Sequence, residues 1–115
     1  MYQSSHICSD ANFVLGNAQR KYYPIVYCSD GFLLLTHYSR ANVMSRSSIC
    51  QFLWGSETTP TVRMEINQAF HNHYEYRNRA VFYTRTVQFS MLQPKTCLAI
   101  HHNLPPFRNL NYSLF

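Results

Sequence analysis

Glycine is scarce, with three residues in a chain of 115. That is too few for a phosphate-cradling loop, and no G-x-S-x-G elbow is present. Acidic residues number five against ten Lys and Arg. They are dispersed, and no carboxylate pair suits acid–base catalysis. Charged residues total 13%, little for a freely exposed surface and too little hydrophilic excess for disorder. Part of the surface is therefore expected to be covered. Apolar runs reach no further than stretches such as Phe32 to Leu35, far short of a membrane span. The opening Met1-Tyr2-Gln3-Ser4-Ser5-His6 lacks the basic and apolar regions of a signal peptide. Cys8, Cys28, Cys50 and Cys97 form no C-x-x-C pair, so free thiols in a reducing compartment are expected. The Asn111-Tyr112-Ser113 sequon is accordingly read as incidental.

What is present suits one compact domain. Apolar residues make up 46% and aromatic residues 16%, ample for a core at this length. The net charge of +5 is scattered, with its closest groupings at Arg20-Lys21 and at Arg77, Arg79 and Arg85. Nucleic-acid binders concentrate cations on one face, so no nucleic acid is expected. A mildly basic surface favours acidic partners or lipid headgroups.

Along the chain, residues 1–10 read as a flexible polar segment. Phe13-Val14-Leu15 predicts a strand ending near Gly16-Asn17-Ala18, and Pro24 to Cys28 predicts a second. Ser29 or Asp30 caps a short helix through Leu35 towards Tyr38. Ser39 starts another short turn, and Cys50 to Gly55 reads as an irregular turn stopped by glycine. Thr59 and Pro60 mark the start of a helix to about His71, with Val62, Ile66, Ala69 and Phe70 as its buried stripe. From Glu75 the period changes to two. Tyr76, Asn78, Ala80 and Phe82 then share one face, and Arg77, Arg79, Val81 and Tyr83 share the other. Val87 to Met91 and Thr96 to Ile100 are strand candidates, while Pro94, Pro105 and Pro106 break the remainder into loops.

That element order is the order of a PAS domain, an α+β fold with an antiparallel sheet flanked by short helices. The residues narrow it further. Asn12-Phe13-Val14-Leu15-Gly16-Asn17 and Tyr27-Cys28-Ser29-Asp30-Gly31-Phe32 resemble the N-terminal PAS domain of ether-à-go-go-family potassium channels, nearest the Elk-like branch. Tyr38-Ser39-Arg40-Ala41, Val43-Met44, Cys50, Phe52-Leu53 and Gly55 continue the resemblance in register. It covers residues 11–85 and departs at Leu33, Leu34, His37, Asn78 and Arg79. Beyond Arg85 the family's closing strands are not recognisable.

In a PAS domain the last strand lies mid-sheet beside the first. Each buried large apolar side chain stabilises by about 1.5–3 kcal/mol, against a total margin of about 5–15 kcal/mol. Either residues 86–115 supply substitute strands, or the domain of residues 11–85 is incomplete with a divergent tail. The missing pattern tilts the reading to the second.

The resemblance implies a cytosolic, non-enzymatic regulatory module. It would dock on the channel's cyclic-nucleotide-binding homology domain and modulate voltage-dependent gating, needing no cofactor. The alternatives are a flavin or small-ligand sensor and a truncated isoform without independent function. Ser48-Ile49-Cys50-Gln51-Phe52-Leu53 is similar to the photoactive cysteine motif of light-oxygen-voltage (LOV) domains. However, Ile49 and Gln51 replace its polar asparagine and phosphate-binding arginine, so Cys50 reads as a small buried residue. His71-x-His73 and Cys97-x-x-x-His101-His102 give no recognised metal spacing. The remaining candidate is a partner-binding face of Val81 and Tyr83 framed by Arg77, Arg79 and Arg85, an apolar centre with a charged rim.

Overall fold

The computed structural model describes residues 11–85, 96–103 and 109–115. The polar segment 1–10, the strand expected at 87–91 and the three late prolines lie outside them.

Five strands form one antiparallel sheet: β1 (Phe13–Asn17), β2 (Ile25–Cys28), β3 (Tyr76–Ala80), β4 (Thr96–His102) and β5 (Leu110–Leu114). Their spatial order is β2-β1-β5-β4-β3. Between β2 and β3 the chain makes a helical layer of α1 (Asp30–Thr36), α2 (Arg40–Val43), a 3-10 turn (Gln51–Leu53) and α3 (Pro60–Asn72). The five-stranded sheet with these helices is the α+β architecture of a PAS fold.

Local chemistry sets the boundaries. Ser29 Oγ accepts from the Phe32 amide and opens α1, while also accepting from the Phe13 amide and donating to the Ala11 carbonyl. One hydroxyl thus ties the start of β1 to the helical layer. Thr59 Oγ1 accepts from the Val62 amide, and Pro60 occupies the first turn where its missing N–H costs nothing. At the other end His73 adopts a left-handed conformation and donates its amide to the Ala69 carbonyl, closing α3. The helix buries Ile66, Ala69 and Phe70, with Val62 half-buried beside them.

The core between sheet and helices combines Val14, Ile25, Phe32, Val43, Leu53, Ile66, Phe70, Phe82, Leu98 and Ile100, all buried. Phe115, the last residue, packs its ring 5.3 Å from Phe32 and 5.4 Å from Phe82. A smaller cluster of Phe13, Leu15 and Tyr112 is buried on the other sheet face.

Two expectations need correction. The strand predicted for 75–85 ends at Ala80. Past it the backbone leaves the sheet for the helical layer: the Val81 carbonyl accepts from Thr58 Oγ1, the Tyr83 amide donates to Leu53, and the Arg85 amide donates to Thr36. Asn78 is exposed rather than buried and donates to Tyr76 Oη.

The second concerns the tail. Of the two readings left open for the tail, the favoured one, an incomplete sheet, gives way to the other: the strand expected over 96–100 is β4, and Leu110–Leu114 adds β5. Five pairs join β5 to β1, from Phe13↔Leu114 to Asn17↔Leu110, and four join it to β4. The position beside the first strand, in the middle of the sheet, is therefore filled.

Candidate functional site

The signature positions turn out to be joints of the fold. Asn12 and Ala11 lie so close to Gly31 that a Cβ there would sit 2.5 Å from Asn12 Oδ1 and 2.8 Å from the Ala11 carbonyl oxygen. Only glycine permits this approach. Gly16 faces Ser48 Oγ at 2.2 Å from where its Cβ would be, at a register shift in the β1–β2 pairing. Asn17 Oδ1 accepts from the Gln19 amide in the turn that follows. Asp30 pairs with Arg40, whose guanidinium also donates to the Cys28 carbonyl. Phe52 packs edge-on against Tyr38 at 5.0 Å with Arg46 over its ring, and Leu53 is fully buried. Tyr27, half exposed on the outer sheet face, stands 5.8 Å from Phe13.

Cys50 sits at the head of the 3-10 turn in a left-handed conformation. It is 1% exposed, and burial, with Cys28 nearby, pushes its thiol well above the ordinary range. A thiol held protonated in an apolar pocket is a poor nucleophile. Its neighbours do not suit a flavin. Gln51 is exposed and Ile49 packs on the core, so neither offers an inward polar group. The interior beside them is filled by the Phe32–Phe115–Phe82 cluster, Leu53 and Ile100. Asn111, the buried inward amide of β5, donates from Nδ2 to His102 Nδ1 at 2.6 Å, while its Oδ1 has no hydrogen-bond partner among the described residues.

Of the five residues of the candidate partner face, only Arg77 and Arg79 lie on the strand expected to carry them all. Arg77 and Arg79 are exposed on the outer side of β3, opposite Ala99 and Cys97 of β4. Val81 is half-buried where the chain turns inward. Tyr83 stacks on Gly55, and its hydroxyl accepts from the Glu57 amide at 3.0 Å. Arg85 is exposed beyond that joint. The strand-period reading could not anticipate this, since the alternation that suggested a common face continues past Ala80, where the strand ends.

His71, His73, His101 and His102 do not assemble a metal centre: among the described residues no group of three or more His, Cys, Asp or Glu gathers. The pair that sequence reading missed is His102 and Asn111. His102 Nε2 lies 3.0 Å from the Tyr74 carbonyl and Nδ1 faces the Asn111 amide. With Asn111 Nδ2 as donor, Nδ1 must be the acceptor and Nε2 must carry the proton. Burial lowers the pKa of His102, which favours this neutral form. No helix among the described residues is long and apolar enough to cross a membrane.

No family model matches the chain. Over 77 residues, 66% of the chain, it is 47% identical to the voltage-gated inwardly rectifying potassium channel KCNH3 of Homo sapiens, and it spans 7% of that relative's length. The PAS domain from the fruit-fly ELK potassium channel shares its fold with a TM-score of 0.79 and 31% identity, covering 96% of this chain and 89% of that one. The LOV domain of the blue-light photoreceptor Aureochrome1 is similar with a TM-score of 0.73 and 26% identity, covering 92% and 80%. The likeness to the channel domain takes in nearly the whole of both chains, so this chain belongs to the PAS domains of the ether-à-go-go family of voltage-gated potassium channels.

Proposed function

We propose that the chain is a regulatory module that acts by binding protein and carries no catalytic activity. Its partner is the cyclic-nucleotide-binding homology domain of a potassium channel, met on the cytoplasmic side of the membrane. The observation that carries this reading is the 47% identity to a channel over 77 residues, 66% of the chain. The packed interior supports it from another direction: with the Phe32, Phe82 and Phe115 rings packed against one another at tilted and edge-on angles, signals pass through the surface rather than through a bound cofactor. Such a module changes gating only if it binds the open and closed channel with different affinity.

Arg77 and Arg79, adjacent on the edge strand, supply the contact charge, with Arg85 beyond the joint as a third cation. Tyr83 and Val81 hold the segment between them in place. The test is to co-express the chain with a channel of this family lacking its own N-terminal domain and to record conductance against voltage. The expected result is a shift of the midpoint or of the closing rate, reduced by Arg77→Glu/Arg79→Glu. Currents identical with and without the chain overturn the proposal.

A further inference from the structure

An open groove of about 1040 Å³ runs between the β1–β2 connection and α3. Its connection side carries Arg20, Lys21, Tyr22 and Tyr23, and its helix side carries Met64 and His71. No Asp or Glu is among the lining residues. Tyr22 is 67% exposed and Met64 54%, which puts two large apolar side chains in solvent on facing walls. Arg63, also in the lining, is already engaged with the Thr58 and Gly55 carbonyls. Among the described residues, the rim cations without a carboxylate partner are Arg20 and Lys21, both exposed.

The backbone explains how this arrangement is held. Tyr22 and Tyr23 are consecutive non-glycine residues with φ of 66° and 53°, a left-handed conformation that side chains disfavour. Tyr23 is locked there. Its ring packs 5.3 Å from Phe70, and its carbonyl accepts from both the amide and the hydroxyl of Ser48 at 2.8 Å. The strained turn that packs the half-buried Tyr23 inward throws Tyr22 outward, with Lys21 Nζ 5.2 Å from its ring centroid. The result is a preassembled corner of aromatic face and ammonium group.

We propose that this groove binds an acidic peptide segment bearing an aromatic or aliphatic side chain. That side chain seats between Tyr22 and Met64, and flanking carboxylates pair with Arg20 and Lys21. Charge complementarity selects the occupant, since the rim is cationic and the lining holds no carboxylate. A discrete phosphate lacks an anchor of fixed donors here. A nucleic-acid strand would meet two rim cations only, too few phosphate contacts to give useful affinity. The groove and its test do not depend on docking to the channel homology domain.

Fluorescence anisotropy of a labelled synthetic peptide alternating glutamate with tryptophan and leucine, titrated with the full chain at low and moderate salt, tests this. Binding that weakens with salt is expected. Each exposed ion pair contributes roughly two- to fivefold, so Arg20→Glu/Lys21→Glu should weaken binding about tenfold. Tyr22→Ala should weaken it severalfold at unchanged charge, and Leu34→Glu/Arg46→Glu/Gln51→Glu, which alters net charge equally at exposed positions outside the groove lining, should leave it within about twofold. Amide chemical shifts in the labelled chain should move in residues 18–23 and along α3, a readout that needs no variant. The proposal is overturned if the lysine counterpart of the peptide or a single-stranded oligonucleotide binds as well. It is equally overturned if the remote charge reversal has the same effect or the shifts map elsewhere.

Discussion

Replacing Phe82 with alanine, alone and together with Phe115→Ala, probes the packing that joins the last residue to the core. Phe82 is 1% exposed and its ring meets Phe115 edge-on at 5.4 Å. Phenylalanine-to-alanine changes at such sites cost about 3–5 kcal/mol, from lost transfer energy and the residual cavity. A domain near this size loses roughly 4 °C of melting temperature per kcal/mol, so Phe82→Ala should melt about 12–20 °C lower. Phe115 is half-buried, and its truncation should cost about 2 kcal/mol. Because each variant removes the same ring pair, the double mutant should be less destabilised than the sum by about 0.5–1.5 kcal/mol. Urea titration followed by near-UV circular dichroism measures all four corners of the cycle. Leu34→Ala, at an exposed site, serves as the control and should stay within about 0.5 kcal/mol of the parent. Additive effects, or a Phe115→Ala variant as stable as the parent, would refute the docking of the chain's end.

Three further outcomes follow from the same contacts. Burial, reinforced by the hydrogen bond to Glu65, raises the pKa of Tyr76 from 10.0 to about 12. Its contribution to stability is therefore complete below about pH 10 and lost as the pH climbs to about 12; alkaline melts should show that loss, and Tyr76→Phe should blunt it. In a Cys8→Ser background, Ellman's reagent should label Cys97 quickly, because it is exposed, while Cys28 and Cys50, buried with raised thiol pKa values, react only on unfolding. A Cβ at Gly55 would lie 2.2 Å from the Tyr83 ring, so Gly55→Ala should cost about 1–3 kcal/mol, and adding Tyr83→Ala should recover part of it in chemical denaturation.

The first two-thirds of the fold was legible because local rules and packing agree there. Thr59 and Pro60 announce α3, and Ser29 announces α1, through side-chain chemistry that acts within a few residues. β3 was overextended because Val81 and Tyr83 keep the alternation of a strand while their backbone groups bond to Thr58 and Leu53 instead. β5 was missed because its pattern is inverted. Asn111 and Ser113 face the interior, whereas Leu110, Tyr112 and Leu114 take the opposite face. A central strand buried on both faces carries no clean alternation, and what accommodates Asn111 is a distant partner, His102. The candidate partner face loses its single strand for the same reason that β3 was overextended, while the groove beside Tyr22 depends on backbone angles that no residue pattern declares.

The central claim is that residues beyond 85 complete a cooperative PAS domain. Its most direct test is thermal unfolding of the full chain and of a chain ending at Asn109, followed by near-UV circular dichroism with Trp54 and the nine tyrosines as reporters. Removing β5 eliminates five pairs with β1 and four with β4 and opens the middle of the sheet. The account predicts a sharp transition for the full chain and a weak spectrum without a transition for the shortened one. Two chains that melt alike would contradict it, because the first 109 residues would then fold without the strand that closes the sheet.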